Sequence, residues 1–156
     1  MSEGRVVRSV AELKGLVGQE TGVGQWFVID QERVNRFADL TGDHQYIHVD
    51  PERAAKTPFG GTIAHGYLTL SIQPLLASDR EGVRIELPTK MAVNMGTNRV
   101  RFPGPVHVGR RIRLRTRLLS VEEGPDYVQI VNQQTVEVEG AERPGMVAET
   151  VSRLYL

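Results

Sequence analysis

The chain of 156 residues contains no cysteine. That excludes a disulfide framework, a thiolate nucleophile, an iron–sulfur cluster and any cysteine-ligated zinc. Net charge is also missing, because 19 Lys and Arg face 19 Asp and Glu. A general nucleic-acid binder needs a basic excess to hold phosphates, so no nucleic-acid partner is expected. Long apolar runs are absent too. The first twenty residues never reach the unbroken apolar run of about seven or more that a secretory signal requires. The longest uncharged stretch, Thr57 to Ser78, is 22 residues, but Pro58, Gly60, Gly61, His65, Gly66, Gln73 and Pro74 interrupt it. It reads as a tight loop followed by a buried helix, not as a bilayer span. The expectation is therefore a cytoplasmic protein with no membrane partner.

What is present suits a globular chain. Hydrophobic residues make up 40% and charged residues 24%, inside the usual range for packed domains. The length fits a single domain, residues 1–156, that buries a core without covalent staples.

Helical patterns fill the first half. Residues 8–17 carry Val10, Leu13, Leu16 and Val17 on one face. Gly22 and Gly24 then break the chain, and Gln25–Ile29 reads as a strand. Asp30 can cap a helix from Gln31 to Leu40 that Gly42 stops. Asp43–Val49 has no helical period. Asp50-Pro51-Glu52 is a cap, an N-terminal proline and an acidic first turn for a short helix through Ala55. After a Gly-rich loop, Ala64 to about Ser78 is apolar on nearly all sides and reads as a core helix that Pro74 kinks or shortens.

From residue 91 the period changes to two. Met91–Phe102, Arg110–Ser120, Asp126–Glu139 and Met146–Leu156 are predicted strands, separated by Gly/Pro turns. Short connections predict antiparallel pairing. Helices followed by grouped strands indicate an α+β fold. An antiparallel sheet wrapped around the apolar helix would be a hot-dog fold. The row Arg111, Arg113, Arg115 and Arg117 reads as a solvated face balanced by neighbours such as Gln129 and Glu137, rather than as a phosphate site.

Two polar clusters could carry chemistry. In Leu40-Thr41-Gly42-Asp43-His44-Gln45-Tyr46-Ile47-His48, a turn can aim Asp43 and His48 at one water as an acid–base pair. On spacing alone, a turn aspartate and a surface histidine fit as well. In Gly60-Gly61-Thr62-Ile63-Ala64-His65-Gly66-Tyr67-Leu68, Gly66 falls in the first turn of the apolar helix. The N–H groups there lack intrahelical partners and favour developing negative charge. The glycines could equally serve only the turn and close packing. His44 and His48 stand at i, i+4 with His65 beyond, but no helix and no H-E-x-x-H pattern supports a metal site, so no metal is expected.

Together the two clusters resemble the MaoC-like dehydratase family, the (R)-specific enoyl-CoA hydratases of the hydratase 2 type. That family's pattern is a hydrophobic residue, Ser/Thr-Gly-Asp, a variable residue, Asn-Pro, an aliphatic residue and His. Leu40 to His48 follow it except that Gln45 replaces Asn and Tyr46 replaces Pro. Ala54 takes the place of a downstream small residue, and Gly60 to Leu68 match the family's Gly-rich loop ending in His-Gly-x-Leu. The resemblance implies catalytic roles for Asp43 and His48 around a reacting water, with Gly66 N–H polarising the thioester carbonyl and Gln45 supporting the water. It implies an enoyl-CoA or 3-hydroxyacyl-CoA substrate, with an acyl carrier protein thioester as the alternative, no cofactor, and a homodimer. A hot-dog acyl-CoA thioesterase and a non-catalytic acyl-thioester binding module are the rival readings.

Overall fold

The computed structural model describes residues 4–156. Residues 1–3 of the expected 1–156 domain lie outside the described residues. The fold is α+β and of the hot-dog type. In chain order the elements are β1 (Val6–Val7), α1 (Val10–Lys14), β2 (Glu20–Val23), β3 (Phe27–Val28), α2 (Gln31–Thr41), α3 (Tyr46–Val49), α4 (Pro51–Ala54), α5 (Gly66–Ser71) and α6 (Gln73–Ala77). The strands β4 (Glu81–Gly82), β5 (Arg84–Ile85), β6 (Met91–Arg101), β7 (Arg111–Glu123), β8 (Tyr127–Val138) and β9 (Met146–Tyr155) follow. None of the described helices is long and apolar enough to cross a membrane.

One sheet runs in the order β4-β2-β7-β8-β9-β6, with β3 also pairing β7. All its pairings are antiparallel. The strands β7, β8 and β9 pair as a meander. β6 departs from nearest-neighbour pairing: it crosses to the far side of β9, with Ala92 opposite Leu154 and Val100 opposite Ala148. This leaves β6 as a long edge strand. Alternate residues of β7, β8 and β9 face the helices, so Ile112, Leu114, Val136, Val138, Met146 and Ala148 form one apolar cluster with Leu68 of α5 and Leu76 of α6. A second cluster joins Val7, Leu13 and Leu16 to Leu118, Val128 and Ile130.

Several local expectations shift for identifiable reasons. The helix over 8–17 contracts to α1, capped by Ser9 Oγ on Glu12 N–H at 3.2 Å. The glycines at 22 and 24 do not break the chain. Glu20–Val23 pairs β7, and Gly24 lets the backbone pass so close to Leu76 C=O that a Cβ would lie 2.2 Å from it. Of Gln25–Ile29, only Phe27–Val28 is strand. Asp43–Val49 contains the four-residue helix α3, too short to show a period. The core helix over 64–78 is split at Ile72, because Pro74 lacks the N–H that would continue it. It is not buried all round, since Tyr67 is 71% exposed.

Three of the four arginines in the row hold carboxylates. Arg111 binds Glu139, Arg113 binds Glu137 at 2.6 Å, and Arg115 bridges Glu20 at 2.7 Å and Glu137 at 3.3 Å. Gln129, expected beside this row, instead accepts from Arg153 at 3.0 Å.

Candidate active site

Asp30 begins the construction. Its Oδ1 accepts the Arg33 N–H at 2.8 Å and starts α2, while Gly42, at φ +79°, ends it in a left-handed turn. The chain reverses there. Asp43 Oδ1 accepts the Gln45 N–H at 3.3 Å, and Gln45 C=O accepts the His48 N–H at 2.9 Å. Tyr46, where the family pattern has proline, starts α3 and packs its ring under the Arg53 guanidinium at 4.2 Å. Asp50 Oδ1 then caps α4 at Arg53 N–H, 3.0 Å away, and buries Ala54.

The second motif is clipped against the first. Ile63 N–H donates to Ile47 C=O at 3.0 Å, and Ala64 N–H to Val106 C=O at 2.8 Å. His48 is 7% exposed, and its Nδ1 lies 2.7 Å from Ile63 C=O. A carbonyl only accepts, so Nδ1 carries a proton, and in the neutral tautomer that this contact selects the lone pair falls on Nε2. His65, 3% exposed, places Nε2 at 2.9 Å from the Asp43 backbone C=O, which makes that nitrogen a donor as well. The two imidazoles stack with centroids 3.8 Å apart. Burial first, and the His48 ring second, push the His65 pKa below its ordinary value, though the Asp43 C=O pulls the other way. Neutral His65 therefore holds Asp43's backbone while its buried Nδ1 has no partner.

Asp43, His48 and His65 each present a ligand-type atom within 4.8 Å of the others. Two atoms at tetrahedral angles on one water lie about 4.6 Å apart at ordinary hydrogen-bond lengths, so the Asp43 carboxylate and His48 can share a water. His48 Nδ1 and His65 Nε2 both donate to carbonyls, so any lone pair the two rings offer lies on His48 Nε2 and His65 Nδ1. His44, considered with them in sequence, instead turns to Asp39 at 2.8 Å, and that carboxylate raises its pKa.

His48 and Gly66 line a cleft of about 360 Å³ with Phe59, Thr69, Phe102 and Pro103. Gly66 is the first residue of α5, so its N–H has no intrahelical acceptor. Asp43 does not line this cleft itself; its side chain, 55% exposed, reaches to within 4.8 Å of His48, which does. Of the four residues singled out in sequence, Asp43, His48 and Gly66 are thus gathered at one place. Gln45 adjoins them, but its described hydrogen bonds are all made by its backbone.

Three supporting roles escaped the sequence reading. His65 enters that reading as a member of the His-Gly-x-Leu motif and as a remote metal-ligand candidate, not as a support for Asp43. Gln31 donates to His48 C=O at 2.7 Å and accepts from Thr62 Oγ1 at 2.6 Å, tying α2 to both motifs. No spacing rule joins Gln31 and Thr62, which are 31 positions apart.

Known proteins resemble this chain in sequence and in fold. The MaoC like domain family matches residues 12–140. A Mycobacterium tuberculosis protein named 3-hydroxyacyl-thioester dehydratase Z is 50% identical over 150 residues, covering 96% of this chain and 97% of its own. An R-hydratase structure from Pseudomonas aeruginosa superposes with a TM-score of 0.65 at 26% identity, covering 94% of this chain and 84% of that one. A monoamine oxidase regulatory protein of Archaeoglobus superposes with a TM-score of 0.75 at 23% identity, covering 97% of each chain, and shares the fold.

Proposed function

The chain belongs to the MaoC-like dehydratase family, and on that premise we propose that it is an (R)-specific enoyl-CoA hydratase, a hydro-lyase that also runs in reverse as a 3-hydroxyacyl-thioester dehydratase. One observation carries the reading: the Asp43 carboxylate and a His48 ring nitrogen lie within 4.8 Å of each other beside the cleft that holds the Gly66 N–H. In this reading a water donates one O–H to the carboxylate and the other to His48 Nε2. Its lone pair then faces C3 of a trans-2-enoyl thioester. The oxygen adds to C3, the pair takes up the water's proton, and one proton passes to C2 on the same face. The product is an (R)-3-hydroxyacyl thioester, with one water consumed and no electron transferred. Gly66 N–H, at the positive end of α5, meets the enolate-like charge on the thioester oxygen. Gln45 supports the water site through the turn that its backbone N–H closes on Asp43. Acid–base help of this kind is worth roughly 10²–10⁴ in rate.

The working unit of this reading is one hot-dog domain, paired with a second copy. β6 is an exposed edge strand of 11 residues whose Met91 and Met95 face solvent. Unpaired edges of that length invite a partner, and a second β6 would extend the sheet. Sedimentation equilibrium should return a dimer; a monomer at micromolar concentration would count against it. The CoA thioester places the work in the cytoplasm, and carrier-protein thioesters are the competing substrate.

The test is crotonyl-CoA with the purified protein. Loss of enoyl absorbance without free thiol is expected. Thiol release would favour a thioesterase, and no reaction a binding module.

A further inference from the structure

A polar belt crosses the inner face of the sheet where helix packing favours apolar side chains. Asn94 of β6 stands opposite Ser152 of β9, Thr97 opposite Thr150, and Gln134 of β8 opposite Thr116 of β7. The belt lies between the two apolar clusters. All of it but Thr116 lines a groove of about 440 Å³ beneath the break between α5 and α6, within the roughly 300–1,000 Å³ of small-molecule sites. No charged residue lines this groove.

The belt offers donors. Gln134 is 9% exposed, and Thr116 Oγ1 donates to its carboxamide oxygen at 2.8 Å, which leaves its NH2 group to donate. Asn94 engages its oxygen with the Gly96 N–H at 3.1 Å, leaving its own NH2 group likewise. Neither NH2 group has a described protein acceptor, and an alkyl tail lying along the groove would strip water from both and leave them unpaired, which is costly, so a ligand bringing neutral oxygen acceptors is the one that fits.

The groove lies one helical turn along α5 from the cleft. Gly66 and Leu70 lie at i, i+4 on one face of α5, the first in the cleft and the second in the groove. β6 repeats the order: Phe102, just past its end, lines the cleft, while Thr97 and Asn94 line the groove. The step along α5 is about 6 Å. An extended chain advances roughly 1.2 Å per bond, as an extended backbone does, so a tail leaving the thioester at Gly66 enters the groove after about five bonds.

We propose that this groove receives the acyl tail and selects tails carrying neutral oxygen substituents, such as hydroxyl, keto or ether groups, over plain alkyl chains. The proposal rests on the hydratase reading above. A site furnished with donors discriminates against an analogue without acceptors, because its donors are then left unpaired.

The experiment compares kcat/KM for trans-2-decenoyl-CoA with that for its analogue bearing a hydroxyl on the penultimate carbon, with crotonyl-CoA as a control too short to reach the groove. The expected result is a preference of about tenfold or more for the hydroxylated tail. Gln134→Leu and, independently, Thr97→Val should each shrink that ratio, which partial misfolding would not change. Equal or better turnover of the alkyl tail, with crotonyl-CoA still hydrated, overturns the proposal alone. Failure to hydrate crotonyl-CoA overturns the hydratase reading and the proposal with it.

Discussion

Replacing Gly66 by alanine separates packing from chemistry at the tip of α5. A Cβ built there would lie 2.9 Å from Cγ, Cδ2 and Cε2 of Phe102, whereas ordinary contact begins at 3.4 Å. Either the ring or the first turn of α5 must give by about half an ångström. Gly66 is not among the residues with positive φ, so alanine is otherwise accommodated by the backbone. Overpacking costs about 1–3 kcal/mol, at the low end here because the Phe102 ring is partly exposed and can swing outward. The gain in helix propensity offsets up to about 1 kcal/mol of that. Stability should therefore change by no more than about 1 kcal/mol. Turnover should suffer more, since Gly66 N–H is the proposed donor to the thioester oxygen. Loss of such a donor costs about 10²–10³ in kcat, and a displaced one should cost about tenfold or more. The assay is crotonyl-CoA hydration beside thermal unfolding, repeated in Gly66→Ala with Phe102→Leu, which removes the ring from the clash and should recover part of the loss. Wild-type kcat in folded Gly66→Ala, or a loss that Phe102→Leu leaves untouched, refutes the reasoning.

Further outcomes follow from the same geometry. Because burial holds the His65 pKa below the ordinary 6.5, this residue favours folding fully above that pH and progressively less as pH falls through its own lowered value; urea titrations from neutral to mildly acidic pH should lose this slope in His65→Phe, and an unchanged slope would contradict it. Gln31→Ala should destabilise by about 1–3 kcal/mol, because His48 C=O and Thr62 Oγ1 lose a shared partner; chemical denaturation measures it. Asp39→Asn should bring the His44 pKa back toward its ordinary value, as proton NMR of the ring would show, with no change indicating that the contact at 2.8 Å is not kept in solution.

Legibility in the sequence followed the range of the physics involved. Asp30 and Gly42 mark both ends of α2 because a cap and a left-handed stop act over a few residues. Asp50-Pro51 marks α4 for the same reason. The period-two pattern survives in β6 to β9 because each strand is long enough to display it. Elements of two to four residues, such as α3 and β2, are held by tertiary contacts and carry no period. The crossing of β6 to β9 is invisible locally, since it depends on which edge remains free once β7, β8 and β9 have paired. At the site, Asp43, His48 and Gly66 stood out through chemistry concentrated in two short motifs. The contacts joining those motifs, from His65 to the Asp43 carbonyl and from Gln31 to the His48 carbonyl, are made to backbone atoms of distant residues. A side chain bound to a remote backbone carbonyl leaves no pattern along the chain.

The most direct test of the shared water is the rate of crotonyl-CoA hydration in Asp43→Asn, His48→Gln and the double variant. Each single change should lower kcat at least ~10²-fold. Two groups acting on one water work as a unit, so the double variant should lose little more than the weaker single variant. Wild-type-like rates in folded single variants, or losses that multiply in the double, would contradict the account.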